Sequence, residues 1–201
     1  MVPPFFYCMK KAYLSFFLLC AALMINAQES VKFSLRPDGS FLSEDGKSYT
    51  VVEYEGKTAQ ELYSLIKSNI ITLFNSPKTV LSENEPINLS IRALSEDLYK
   101  TYKAGGGFVT YKVYYNLVFH FKDGRIRVDA PTVDRNLEVY ATGIPLPKTF
   151  VSLVDGWFDK NGKAKSNRVK YIENVENNIN YPINYLLGNK KETPFIEEDN
   201  W

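Results

Sequence analysis

The stretch that decides the fold is FVTYKVYYNLVFHFKDGRIRVDA, residues 108–130. Its odd positions, Val109, Tyr111, Val113, Tyr115, Leu117, Phe119 and Phe121, are all apolar or aromatic. The even positions include Thr110, Lys112, Asn116, His120 and Lys122. A period of two over so many residues is a β-strand with one face buried. Asp123-Gly124 then forms a two-residue hairpin turn. That turn sets Lys122 against Arg125, Phe121 against Ile126 and Phe119 against Val128, and brings Leu117 to Ala130. The apolar row therefore stays on one face across both strands, so turn chemistry and periodicity agree on one register. On the other face His120 stands by Arg127 and Val118 by Asp129.

Upstream, Ile87, Leu89 and Ile91 alternate with Asn88, Ser90 and Arg92 as a further half-buried strand. Ser95 reads as the cap of a short helical turn through Tyr102, before the flexible Gly105-Gly106-Gly107. No Gly-Lys-Ser/Thr follows these glycines, so they are not a phosphate loop. Thr58-Ala59-Gln60-Glu61 is a capping box. Leu62, Leu65, Ile66, Ile70, Leu73 and Phe74 follow at helical spacing until Asn75-Ser76-Pro77 stops the helix. Before it, a strand runs from Tyr49 to Glu55. Another holds Val31, Phe33 and Leu35 and ends at the turn Pro37-Asp38-Gly39.

Downstream, five turn formers (Pro131, Gly143, Pro145, Pro147 and Gly156) mark residues 131–167 as a long ordered loop with one short strand. The basic run Lys160 to Lys170 reads as a solvated connection. Val169, Ile172, Val175, Ile179, Ile183 and Leu186 outline a second amphipathic helix, kinked or restarted at Pro182 and ended by Gly188. Residues 189–201 read as a loose tail. The fold class is α+β: an antiparallel sheet of about five strands with two helices on one face.

The N-terminus sets the compartment. Lys10 and Lys11 precede an apolar run, Ala12 to Ile25, and Ala27 supplies the small residue before a cut at Gln28. Charge, short apolar core and small-residue site are the marks of a cleaved signal peptide, with Met9 as the natural start. A retained anchor and a lipid on Cys20 are the competing readings of these residues. Residues 28–188 then form a single exported domain, placed in the periplasm or envelope of a Gram-negative bacterium. Both cysteines, Cys8 and Cys20, lie inside the leader, so residues 28–201 have no thiol nucleophile, disulfide or Cys-type zinc site. Loss of Lys10 and Lys11 turns the formal net charge from +1 to −1, which offers no footprint for a nucleic-acid partner. No second long apolar run is present, so no transmembrane helix is expected after the leader.

The segments VVEYEGKTAQELY (51–63), NSPKTVL (75–81), LVFHFKDGRIRV (117–128) and WFDKNGKAKSNRVKYIENVENNINYPINYLL (157–187) together resemble a family of exported bacterial domains of unknown function with a TATA-binding-protein-like fold. The resemblance implies a curved antiparallel sheet with two helices packed on one face. It carries no assigned activity, so it implies no catalytic residue, cofactor or metal.

Function candidates come from the outward face of the sheet. Lys32, Arg36, Arg92, Lys112, Lys122, Arg125 and Arg127 fall on it, with Asp129 as the one opposing acid and Asn88, Ser90, Asn116 and Tyr114 as hydrogen-bonding groups. Concentrated positive charge attracts anions. The first reading is a non-enzymatic binding module whose ligand site comprises Lys112, Tyr114, His120, Arg125, Arg127 and Asp129. Its ligand is an acidic glycan, a lipid headgroup or an acidic envelope protein. The second is an envelope hydrolase built around His120, the only histidine, and Asp129. No Gly-x-Ser-x-Gly elbow supports it. A homodimer through a sheet edge is a third.

Overall fold

The computed structural model describes residues 30–74, 81–102, 107–134, 137–141, 144–145 and 153–189. The leader, its cleavage site at Ala27 and Gln28, and the tail after residue 189 lie outside the described residues. The strands are β1 (Phe33–Leu35), β2 (Phe41–Ser43), β3 (Tyr49–Glu53), β4 (Leu81–Asn84), β5 (Asn88–Tyr102), β6 (Phe108–Lys122), β7 (Arg125–Asp129), β8 (Thr132–Val133), β9 (Glu138–Ala141) and β10 (Ile144–Pro145). The helices are α1 (Ala59–Leu73) and α2 (Val169–Leu186), the latter entered through a 3-10 turn at Ser166–Arg168.

β6 is the spine of an eight-stranded antiparallel sheet. On one side it pairs with β5 along its whole length. On the other it meets β9 near its start, β8 in the middle and β7 at its end. β4 lies outside β5, β10 outside β9 and β3 outside β7. The hairpin register is the expected one: Phe119↔Val128, His120↔Arg127, Phe121↔Ile126 and Lys122↔Arg125. Gly124 takes φ +78°, the left-handed conformation that such a turn demands.

The apolar row of β6 is the floor of the core. Val113, Leu117 and Phe119 are fully buried, as are Leu89, Ile126 and Val128 on the flanking strands. Ile66 and Ile70 of α1, and Val175, Ile179 and Ile183 of α2, close over the same face of the sheet. α2 runs unbroken through a buried Pro182. The capping box of α1 is formed: Thr58 N–H donates to Glu61 Oε2 at 2.8 Å, and Glu61 N–H donates to Thr58 Oγ1 at 3.2 Å. The hairpin turn adds a second cap, because Ala59 N–H donates to Asp123 Oδ1 at 2.8 Å. One short turn therefore sets both the strand register and the start of α1.

Three expectations are corrected. Residues 93–102 are strand, not helix, because they continue β5 as the partner of the first half of β6. A bulge hides this: Glu96, Asp97 and Leu98 stand against Lys112 alone between Ser95↔Val113 and Tyr99↔Tyr111. Leu98 and Tyr99 are consequently both buried side by side, which breaks the alternation that marks a strand. Ile87 precedes β5 and is 57% exposed, so the inward row starts at Leu89. The loop 131–167 contributes three short strands, β8 to β10, rather than one, raising the sheet well above five.

β1 and β2 form a separate two-stranded hairpin. It is fastened to α2 by a ladder of side chains at helical spacing. Glu176, Asn180 and Asn184 accept from the backbone N–H groups of Leu35, Phe33 and Val31, each at 2.8 Å. The Asn180 and Asn184 amides in turn donate to the Phe33 and Val31 carbonyls, at 2.8 and 2.7 Å. Four residues of helix rise about 6 Å and two residues of strand about 6.7 Å, so the two periods nearly match.

Candidate functional site

The sheet face opposite the helices carries the site proposed from sequence. β6 supplies Lys112, Tyr114, Asn116 and His120; β7 supplies Arg125, Arg127 and Asp129. All point away from the core, as the alternation of β6 requires. Lys32 and Arg36 do not join them. They flank β1 in the hairpin held by α2, on the helix side of the molecule.

Asp129 is the hub of one end. Its Oδ2 lies 2.9 Å from His120 Nε2, and its Oδ1 accepts from Arg127 Nε at 2.7 Å. The Arg127 guanidinium stacks 4.6 Å above the Tyr49 ring of β3. A parallel arrangement occupies the middle of the face. Arg92 of β5 donates to both carboxylate oxygens of Asp134, at 2.6 and 3.3 Å, and lies 5.0 Å from the Tyr114 ring centre. The Asp134 bond holds the Arg92 guanidinium above even its usual high value. Lys112 is ion-paired with Glu96 of the bulge. Arg125 faces Lys122 across the turn and Glu53 across β3.

Asp129 is therefore not the one acid of the face: Glu96, Asp134 and Glu53 share it. Two of these were illegible because their segments, 93–107 and 131–167, read as helix and loop. Tyr49 also belongs to the site and was missed, since the inward face of β3 is ambiguous in sequence. Its signal was the register of β7, which places Tyr49 directly beside Asp129.

The His120–Asp129 pair has an imidazole and a carboxylate, but among the described residues no nucleophile is hydrogen-bonded to it. The cross-strand neighbours of His120 are Asn88 and Arg127. Two open grooves lie elsewhere among the described residues, along the β3 edge and beside the start of α1, and His120 lines neither. Among the described residues no group of three His, Cys, Asp or Glu side chains is arranged to hold a metal. Likewise no described helix is long and apolar enough to cross a membrane. A second polar cluster is structural: buried Tyr63 of α1 donates to Glu83 of β4, and Lys67 completes the ion pair. Burial raises the Tyr63 phenol, while the Tyr63 hydroxyl lowers the Glu83 carboxyl. The basic run from Lys160 folds into a tight exposed turn on Asp159, which accepts from the Asn161 and Lys163 N–H groups.

Strand order, hairpin register and two helices on one face now stand beside the match of residues 49–133 to the family model described as a domain of unknown function (DUF4468) with TBP-like fold. Residues 49–133 match the DUF4468 family model. The matched span runs from β3 to β8 and contains every residue of the open-face site named above except Asp134. Two solved structures are similar to the chain. A TBP-like protein from Parabacteroides distasonis has 12% identity and a TM-score of 0.45, over 70% of this chain and 86% of that one. A DUF4468 family protein from Bacteroides ovatus has 10% identity and a TM-score of 0.45, over 85% and 94%. No curated protein matches.

Proposed function

We propose that the protein is an exported, non-enzymatic binding module that engages an anionic ligand on the open face of its DUF4468 sheet. The observation that carries this reading is Arg127, held ready on that face. Arg127 is fixed by Asp129 through Nε and by the Tyr49 ring, which leaves its terminal amino groups for a ligand. Arg92 is held differently: both of its terminal nitrogens donate to Asp134, so it orders the middle of the face instead of offering free donors. A guanidinium already ordered loses little side-chain entropy on binding, and arginine and tyrosine dominate interface hot spots. The acids on the face trim its positive charge, so recognition rests on placed donors and rings more than on bulk potential. A face whose His120 lines neither groove found among the described residues suits contact with a polymer or headgroup layer better than turnover of a small substrate. The leader of residues 1–27 supports export, and an acidic glycan, lipid headgroup or acidic envelope protein supplies the ligand chemistry.

The test is affinity for a polyuronate and for vesicles containing phosphatidylglycerol, measured at low and high salt. Wild type is compared with the Arg125→Glu/Arg127→Glu double variant. Binding that weakens with salt and drops in the double variant is expected, because exposed charges are screened over about 8–10 Å. Folding stability changes little, since each exposed charge contributes roughly 0–1 kcal/mol. A salt-independent affinity, unchanged in the variant, overturns the reading. Mass spectrometry of the exported protein checks the leader: an N-terminus at Gln28 is expected, and an intact one refutes it.

A further inference from the structure

β3 is an edge strand. It pairs with β7 on one side, and among the described residues no strand pairs with the other. Two hydrogen bonds fix which of its backbone groups are spent. Ala130 N–H donates to the Ser48 carbonyl at 2.8 Å, and Tyr54 N–H donates to the Gly124 carbonyl at 2.7 Å. In an antiparallel pair the bonded residues alternate, so Ser48, Thr50, Val52 and Tyr54 bond inward to β7. Tyr49, Val51 and Glu53 therefore turn their N–H and C=O groups to the outer edge. Val51 is also one of the few large apolar side chains left exposed, at 42%. Alongside this edge runs a groove of about 760 Å³, whose opposite wall is the β1–β2 hairpin with Lys32, Glu44 and Asp45.

The groove is anionic. Four carboxylates line it, from Glu44, Asp45, Glu53 and Glu55, against the ammonium groups of Lys32 and Lys57. Lys32 pairs with Glu44, Lys47 with Asp45 and Lys57 with Glu61, so the uncompensated charge of the groove is that of Glu53 and Glu55. Glu53 and Glu55 are exposed and belong to no ion pair among the described residues.

We propose that the β3 edge is a strand-addition site for an extended basic peptide, which lies in the groove and bonds to the backbone of Tyr49, Val51 and Glu53. Edge addition takes affinity from main-chain hydrogen bonds and selectivity from alternate side chains. A strand of about five or six residues is the usual length. Its lysine or arginine side chains meet the carboxylates of the groove. The acidic lining favours a basic peptide over another copy of this edge, which would bring the same carboxylates with it. Arg125 and Arg127 lie one strand further in, beside Glu53 and Val51, but the edge uses the outward backbone groups of β3, so peptide methylation tests this reading apart from the open face.

The probe is a labelled, end-blocked hexapeptide, Lys-Val-Lys-Val-Lys-Val, followed by fluorescence anisotropy. It is compared with the Glu-for-Lys peptide and with two N-methylated versions, one methylated at the lysines and one at the valines. In a bound strand only one set of N–H groups faces β3, so one methylated peptide should bind and the other should fail. The acidic peptide should bind at least about tenfold more weakly. In the protein, Val51→Pro removes an N–H that β7 does not use, a position where an edge strand tolerates proline. It should abolish binding while circular dichroism stays unchanged. Glu55→Lys, outside the strand, should weaken binding several-fold. Equal binding of both methylated peptides, or equal binding of the acidic peptide, overturns the proposal. A concentration-dependent dimer lost in Val51→Pro also overturns it, by assigning the edge to a second copy.

Discussion

The β6–β7 hairpin and the β1 clasp on α2 secure their strands by opposite means. In the hairpin, neighbours in sequence are neighbours in space, and each bonded pair sits over a buried apolar pair. In the clasp, strand and helix are about 150 residues apart, and the ladder is made of side-chain amides and a carboxylate. Apolar packing is non-directional and tolerates adjustment. A buried amide that substitutes for a strand partner must meet both the N–H and the C=O of one residue. The hairpin should therefore fail by losing volume and the clasp by losing hydrogen bonds.

Truncation at the centre of the hairpin gives the largest effect. Phe119 is fully buried in the core, so Phe119→Ala should cost about 3–5 kcal/mol in a urea melt. A loss under about 1 kcal/mol would mean that the faces of β6 are reversed. Asn180→Ala should come next. It strands the buried N–H and C=O of Phe33, and unsatisfied buried groups cost about 1–3 kcal/mol. Hydrogen exchange sharpens the comparison: Phe33 and Val31 amides should lose protection in this variant while those of β6 keep theirs. Uniform loss across both regions would show that the clasp is not a separate unit. Thr58→Ala is smaller, about 1 kcal/mol, because Asp123 still caps the neighbouring Ala59 N–H.

The same contrast explains what sequence could reveal. The hairpin, the capping box and the apolar stripe of α2 all encode structure in residues a few positions apart, where a period of two or of 3.6 is visible. β8 and β10 are two residues long, too short to show any period. The second half of β5 is a long strand, but its bulge places Leu98 and Tyr99 together in the core and so destroys the alternation. The clasp leaves a trace, Glu176, Asn180 and Asn184 at intervals of four, yet on a helix that pattern reads as a solvated polar face. For the open face, the positions of Lys112, His120, Arg125, Arg127 and Asp129 followed from the turn at Asp123-Gly124. Their partners Glu96 and Asp134 did not, because pairing partners depend on segments whose own structure is set by tertiary contacts.

Glu176 tests the clasp most finely, because it alone among the three rungs carries charge. Burial raises its carboxyl above the ordinary value, against the smaller lowering effects of the Leu35 N–H bond and nearby Lys32. A carboxyl whose folded value is raised keeps its proton longer in the folded state than in the unfolded one. Its contribution to stability is therefore most favourable at acid pH and is lost as pH rises from the unfolded value through the folded one. Glutamine retains the oxygen that accepts from Leu35 and has no charge to desolvate. Glu176→Gln should consequently be slightly more stable than wild type near neutral pH. The difference should shrink as pH falls and the native carboxyl takes up its proton. Urea midpoints measured for both proteins from about pH 7 downward decide the point. A variant less stable than wild type at neutral pH would show that attraction to Lys32 outweighs burial. In that case the top rung of the clasp is an ion pair rather than a neutral strand mimic.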